Sequence, residues 1–274
     1  MRTQFADVGI AINPASDLGR LIELAIDYSE NGLPPSDEPG HVRALLNGQH
    51  VDRLAQAASV LTGHPDSKTH LWPLKKGAIG PGDRSPSRAK DKLWELELLH
   101  LLRSRNVTAE LREPDVMVAL PSGELAIACK RIYSAKNAEL QLSTGVRQIS
   151  NATVPGLLAV CVDDLLPPYC IVEARSPDDA VAFLDNHNID FLNRHHTRLA
   201  GYIAAKRLCG VLVASSAAIR HPPEVGEIAV AMQSTIWTTP QCGADQLLKM
   251  EELGALLFES PTGQPWLQVE PSKR

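Results

Sequence analysis

A short hairpin constrains the fold of this chain more than any other feature of its sequence. Two apolar, β-like runs, 116–120 and 125–132, flank the turn sequence Pro-Ser-Gly-Glu at 121–124, and these residue types form tight turns. Another β-like run precedes them at 107–112. Apolar helical segments and one continuously apolar run complete the pattern, at 91–102, 136–152 and 157–162. The sequence therefore predicts an α/β fold in the order helix, three strands, helix, strand.

The residues before this core have a different character. Residues 1–62 have helical periodicity, whereas residues 63–89 are rich in Gly, Pro and Ser and predict a linker. The linker contains five basic residues, namely Lys68, Lys75, Lys76, Arg84 and Arg88. Two interpretations remain open for it, a solvated loop and a flexible arm that touches phosphates.

The residues after the core contain fewer clear signals. Two helical patterns, at 178–184 and 190–208, precede a short buried strand at 211–214, and the remainder is mixed. We therefore expect three regions, which are a helical N-terminal region with its linker over 1–85, a core over 86–215 and a C-terminal extension over 216–274.

Composition limits the classes of protein that this chain can belong to. Apolar residues make up 44% of the chain, enough to bury a core, and the net charge of −5 requires any nucleic-acid contact to be a local patch. The five cysteines form no CxxC pair, so we expect free thiols rather than zinc or disulfides. No membrane-length apolar run and no signal-peptide pattern occurs, so we expect a cytoplasmic protein. The sequence contains neither a phosphate-binding loop motif nor a GxSxG motif, so it indicates neither an ATPase nor a serine hydrolase.

One set of polar residues forms a candidate catalytic site. Glu113-Pro114-Asp115 leads into the second strand, and Ala128-Cys129-Lys130-Arg131 ends the third. Because side chains alternate along a strand, residues 128 and 130 share a face, and the hairpin can bring that face beside Asp115. Carboxylates bind hard metal ions, and a nearby lysine can orient or activate water for phosphodiester hydrolysis.

This combination resembles the PD-(D/E)xK nuclease superfamily over about residues 90–162. The resemblance implies a restriction-endonuclease-like αβββαβ core with a central mixed sheet, and Mg²⁺- or Mn²⁺-dependent cleavage of DNA, with defence against foreign DNA as the suggested role. It implies that Asp115 and Glu95 bind the metal and that Lys130 is catalytic, with Glu97 as the alternative to Glu95. Gln148 matches a glutamine that some members carry in the helix after the lysine strand.

Ala128 departs from the pattern, because the superfamily has Asp or Glu at this catalytic position. Three explanations stay open. In the first, another element supplies the catalytic carboxylate, with Glu139 and Glu124 as candidates. In the second, the protein is a binding module that lost catalysis. In the third, the alanine is an engineered change. The alternative function is therefore a non-catalytic nucleic-acid-binding or protein-interaction module.

Basic residues beyond the site are expected to contact the nucleic acid, which we expect to be DNA. Arg194, Arg198 and Lys206 recur at four-residue multiples on the predicted long helix, and Arg131 follows Lys130. A solvated helix face is the competing interpretation of this stripe. A homodimer is a further expectation, and no membrane partner is expected.

Overall fold

The computed structural model describes residues 1–32, 38–220 and 228–258, which divide into two compact units. The first unit combines Met1–His100, Leu166–Ala180 and Ser216–Ala231. The second combines Leu101–Leu165, Val181–Ser215 and the described residues from Met232 onward. The predicted core of 86–215 overlaps these units only in part. Within the predicted extension, residues 221–227 and 259–274 lie outside the described residues.

Five helices come first in the described chain, and strands and helices are interspersed after them. The helices are α1 (Arg2–Asp7), α2 (Asp17–Asn31), α3 (Glu38–Ser59), α4 (Ser67–Leu71), α5 (Arg88–Ser104), α6 (Ala138–Ser150), α7 (Pro177–Ala204) and α8 (Ala244–Phe258). The strands are β1 (Ala109–Arg112), β2 (Asp115–Leu120), β3 (Gly123–Arg131), β4 (Gly156–Cys161), β5 (Ile171–Glu173), β6 (Gly210–Arg220) and β7 (Ile228–Trp237). Within the described ranges, no helix is long and apolar enough to span a bilayer.

The strands form one mixed sheet, in agreement with the predicted α/β class. The strand order is β1-β2-β3-β4-β6-β5, and β7 pairs with β6. Strands β1, β2 and β3 are antiparallel neighbours, whereas β3 with β4, β4 with β6 and β5 with β6 pair in parallel. From α5 to β4 the chain follows the predicted order of helix, three strands, helix and strand.

Strand β4 shows why the apolar run at 157–162 predicted a buried strand. All six residues of Gly156–Cys161 are buried, and the strand lies between β3 and β6 with parallel pairing on both sides. A strand inside such a sheet has no solvent-facing side, so its sequence shows no polar alternation. Strand β3 begins at Gly123, which leaves the hairpin turn with φ of 110°, a backbone conformation that glycine adopts without strain.

The structure corrects two local expectations and shows elements in a third region, for which none was predicted. The helical patterns at 178–184 and 190–208 belong to one helix, α7. The predicted linker contains helix α4 and a 3₁₀ turn at Trp72–Lys75. The region that gave little signal contains β7 and α8. In each case, packing against other parts of the fold adds order that local pattern does not show.

The linker is held in place within the first unit by Asp17. Its Oδ2 accepts hydrogen bonds from the N–H groups of Ile79 at 2.7 Å and Gly80 at 2.8 Å. Burial opposes ionisation of Asp17, but these two N–H groups and Arg20 outweigh it and hold the pKa of the carboxyl below its ordinary value. Leu71, Leu74 and Ile79 are buried as well, so this segment is packed rather than a flexible arm.

Candidate functional site

Strands β2 and β3 place three of the predicted site residues together in the second unit. The strands pair antiparallel with Val116 opposite Ile127, and continuing this register by one residue sets Asp115 across from Ala128. Lys130 lies two positions after Ala128 and therefore on the same face. The Nζ atom of Lys130 is 3.8 Å from Oδ2 of Asp115. The strand pair thus brings Asp115, Ala128 and Lys130 to one place.

The backbone of Cys129 connects the two charged side chains. Its N–H donates to Oδ2 of Asp115 at 2.7 Å, and its carbonyl oxygen accepts from Nζ of Lys130 at 2.7 Å. The side chains of Asp115 and Lys130 are 14% and 13% exposed. The pair is therefore largely desolvated but still reachable from solvent.

Helix α6 packs closely against Lys130 because it has a glycine at the contact. A Cβ added at Gly145 would lie 3.1 Å from Cγ of Lys130 and 2.3 Å from Cδ1 of Leu158. Gln148 follows three residues later on the same helix, and its Oε1 atom is buried without a hydrogen-bond partner among the described residues. This oxygen is an acceptor that a ligand or solvent donor can use.

The predicted helix carboxylates lie in the first unit, unlike Asp115 and Lys130. Glu95 on α5 pairs with Lys92. Glu97 accepts from Arg53 through Nε at 3.0 Å and pairs with its Nη2 at 2.9 Å. Each carboxylate therefore has a cation as a partner.

The two candidates for a migrated acid are also paired with arginines. Glu124 at the start of β3 pairs with Arg112, and Glu139 on α6 pairs with Arg198 at 2.7 Å. Both carboxylates are about half exposed or more, at 47% and 62%. Each of these carboxylates is therefore engaged by an arginine at the surface.

The donor set around Asp115 does not fit a divalent metal ion. In the described part of the chain, no three His, Cys, Asp or Glu side chains lie together as a ligand group. Ala128 offers a methyl group where the resemblance implies an acid, and Lys130 adds positive charge beside Asp115. Mg²⁺ prefers near-octahedral oxygen coordination, so the chain as written lacks ligands for it here.

The structure corrects the predicted role of Arg131. Its guanidinium is buried, with Nε bonded to Asp164 and Nη2 3.7 Å from Asp163. Burial favours the neutral form, but Cys161, Asp163 and Asp164 outweigh it and raise the pKa of Arg131 well above its ordinary value. A guanidinium committed to two buried carboxylates is unsuited to contacting phosphates, so Arg131 is a structural residue.

The predicted basic stripe is divided by the end of helix α7. Arg194 and Arg198 are exposed on the helix, although Arg198 pairs with Glu139. Lys206 lies beyond the helix, and its Nζ donates to the carbonyl oxygen of Gln241 at 2.6 Å. Arg194 and Arg198 therefore remain candidates for phosphate contact, whereas Lys206 supports a loop.

Sequence reasoning missed the partners of Arg131. Asp163 and Asp164 come directly after the buried strand β4, and two adjacent carboxylates at the end of an apolar run are the signal that could have identified them. The parallel register, which sets Arg131 opposite Cys161, brings them to the arginine.

Comparison with known proteins yields no matching family model, no similar curated protein and no similar solved structure.

Proposed function

We propose that this chain is a nuclease-type protein that acts on DNA, and that Ala128 impairs its Mg²⁺- or Mn²⁺-dependent hydrolysis of phosphodiester bonds. The observation that supports this proposal is the shared face of Asp115, Ala128 and Lys130, with Lys130 Nζ 3.8 Å from the Asp115 carboxylate. An acid at 128 would lie opposite Asp115 and two residues before Lys130, which is the arrangement that the resemblance implies.

Each residue would have a distinct task in that site. Asp115 offers a carboxylate held by the N–H of Cys129, and Lys130 offers a positive charge suited to a phosphate. Gln148 offers a buried acceptor on the helix that packs against Lys130. A divalent ion would supply polarisation of the scissile phosphate, and Asp115 with an acid at 128 would hold it; Ala128 leaves that ligand set incomplete.

A second function is favoured by the partners of Asp115. Its carboxylate already accepts from Cys129 and lies beside Lys130, and the residue opposite is an alanine. This arrangement suits a module that binds nucleic acid without metal, with exposed Arg194 and Arg198 as phosphate contacts. Such a module would have the same affinity in Mg²⁺ and in EDTA.

Restoring the acid tests the proposal. We expect Ala128→Glu to bind Mn²⁺ about 10- to 100-fold more tightly, by analogy with the loss caused by removing groups that support metal ligands. Plasmid nicking should appear in Mg²⁺ or Mn²⁺ and should be absent in EDTA. Calorimetric metal titration and a plasmid-nicking assay measure the two effects. Ala128→Gln is the matched control, because it has nearly the same size without the charge.

Further variants keep the test decisive. Ala128 is fully buried, so Ala128→Asp provides a shorter acid if the glutamate prevents folding, as judged by thermal denaturation. Adding Lys130→Met to the active variant should abolish the nicking. If a folded acid variant neither binds Mn²⁺ better nor nicks DNA, the nuclease proposal is wrong and the binding module is the better function.

A further inference from the structure

The first unit contains an open groove at the predicted linker. The 3₁₀ turn at Trp72–Lys75 forms one side, and Ser85 and the N-terminal end of α5 form the other. The groove contains about 480 Å³ of solvent space, within the range of roughly 300–1,000 Å³ typical of ligand sites. It is therefore large enough for a base and its flanking phosphates.

The charge of this segment is opposite to that of the whole chain. Residues 68–88 contain five basic residues and one acidic residue, a formal charge of +4 in a chain of −5. Lys76 and Arg88 are exposed and line the groove itself. Arg88 begins α5, so the positive end of that helix dipole adds to the potential. An anionic ligand is therefore favoured.

Trp72 adds an aromatic surface to these charges. It is 39% exposed, among the large apolar side chains that the first unit exposes. Lys75 and Lys76 lie over its ring, with Nζ atoms 3.9 and 4.9 Å from the centroid. Lys75 also donates to the carbonyl oxygen of Ala11 at 3.2 Å, whereas Lys76 is exposed and can move from the ring to a phosphate.

We propose that this groove binds single-stranded nucleic acid, with a base stacked on Trp72 and phosphates at Lys76 and Arg88. An exposed indole with basic neighbours is the combination that strand-binding proteins use, because every unpaired base has a face that can stack. A paired base inside a duplex does not offer that face. The inference does not depend on cleavage, on a metal ion or on residue 128.

The test uses the full chain in EDTA, so that cleavage cannot contribute. A fluorescently labelled ten-nucleotide oligo-dT is titrated, and anisotropy gives the dissociation constant. We expect Trp72→Ala to weaken binding about tenfold, and Trp72→Phe to weaken it less because the smaller ring still stacks. Lys76→Ala with Arg88→Ala should reduce the slope of log affinity against log salt by about 0.7 for each lost contact.

The control is a pair of substitutions that changes the charge by the same amount as Lys76→Ala with Arg88→Ala. Arg105→Ala with Arg175→Ala removes two exposed cations that do not line the groove, and the salt slope should stay near that of the parent chain. Oligo-U of equal length should bind as well, and the ratio of the two affinities reports the combined contribution of the 2′-hydroxyl group and of the thymine methyl group. Either oligonucleotide supports the proposal.

Three kinds of result would overturn the proposal that the groove binds single-stranded nucleic acid. Polyphosphate that binds as tightly as oligo-dT would overturn the proposal, since stacking would then contribute nothing. Preferential binding to phosphatidylserine vesicles would overturn it in favour of a lipid surface. The proposal is also overturned if the parent chain binds neither oligonucleotide, if Trp72→Ala does not change the affinity, or if the control pair lowers the salt slope as much as Lys76→Ala with Arg88→Ala.

Discussion

Two neighbouring cations on strand β3 have very different surroundings. Lys130 lies 3.8 Å from one carboxylate, that of Asp115, and its side chain is 13% exposed. Arg131, the next residue, is 8% exposed and pairs with both Asp163 and Asp164. Because side chains alternate along a strand, the two cations point to opposite faces of the sheet.

The difference lies in what the neighbouring elements supply to each face. On the Arg131 face, the residues that follow β4 bring two carboxylates to one guanidinium, which keeps that charge satisfied in the interior. On the Lys130 face, Asp115 supplies one carboxylate and Ala128 offers only a methyl group. A guanidinium buried between two carboxylates has a structural role, whereas a lysine 3.8 Å from one carboxylate and partly open to solvent remains suited to a ligand.

Removing each cation should give the largest contrast. We expect Arg131→Met to lower the free energy of unfolding by about 3–5 kcal/mol, because it leaves two buried carboxylates without their partner. Lys130→Met should cost less, about 1–2 kcal/mol, since Asp115 keeps the N–H of Cys129 as a partner, the ion pair is 3.8 Å long, and the methionine keeps the packing volume. Urea denaturation of both variants measures the difference. Equal losses would show that the two faces do not differ as described.

Closing the space beside Lys130 should have an intermediate effect. The methyl group of Gly145→Ala would meet Leu158 and the stem of Lys130, so we expect a loss of about 1–3 kcal/mol from overpacking. Gly201→Ala is the matched control, because Gly201 lies in helix α7 with nothing within 4 Å of the added Cβ. The control should gain about 1 kcal/mol from helix propensity. A gain in both variants, measured by urea denaturation, would contradict the close packing of α6 on Lys130.

Neutralising single carboxylates should give the smallest change on the Lys130 face. Asp115→Asn keeps an acceptor for the N–H of Cys129, so we expect a cost below about 1 kcal/mol. Asp164→Asn weakens a buried, charge-assisted hydrogen bond to Arg131, and we expect about 1.5–3 kcal/mol. Thermal and urea denaturation can rank the two. If Asp115→Asn lowers the free energy of unfolding more than Asp164→Asn does, the described difference between the Lys130 and Arg131 faces is wrong.

The sequence predicted the arrangement of Asp115, Ala128 and Lys130 through short-range rules. A strand has a side-chain period of two, and the turn between β2 and β3 is short, so the antiparallel register leaves few alternatives. The same rules gave the element order from α5 to β4, because each of those elements has its own clear periodicity.

The partners of Arg131 required the tertiary structure. Alternation places Arg131 on the face opposite Lys130, but only the parallel register with β4 determines that Asp163 and Asp164 reach it. The linker differs from its prediction for a similar reason. Its glycines and prolines predict a loop, whereas the hydrogen bonds from Ile79 and Gly80 to the distant Asp17 hold it in place.

The sequence by itself thus determined the α/β class, the hairpin and which residues share its face, because these follow from periodicity and turn chemistry over about ten to twenty residues. Only the tertiary structure decided that Arg131 is buried between two carboxylates and that Asp17 holds the backbone of Ile79 and Gly80 in place. Those outcomes depend on contacts between residues far apart in the chain, and local pattern carries no information about which distant side chains will meet.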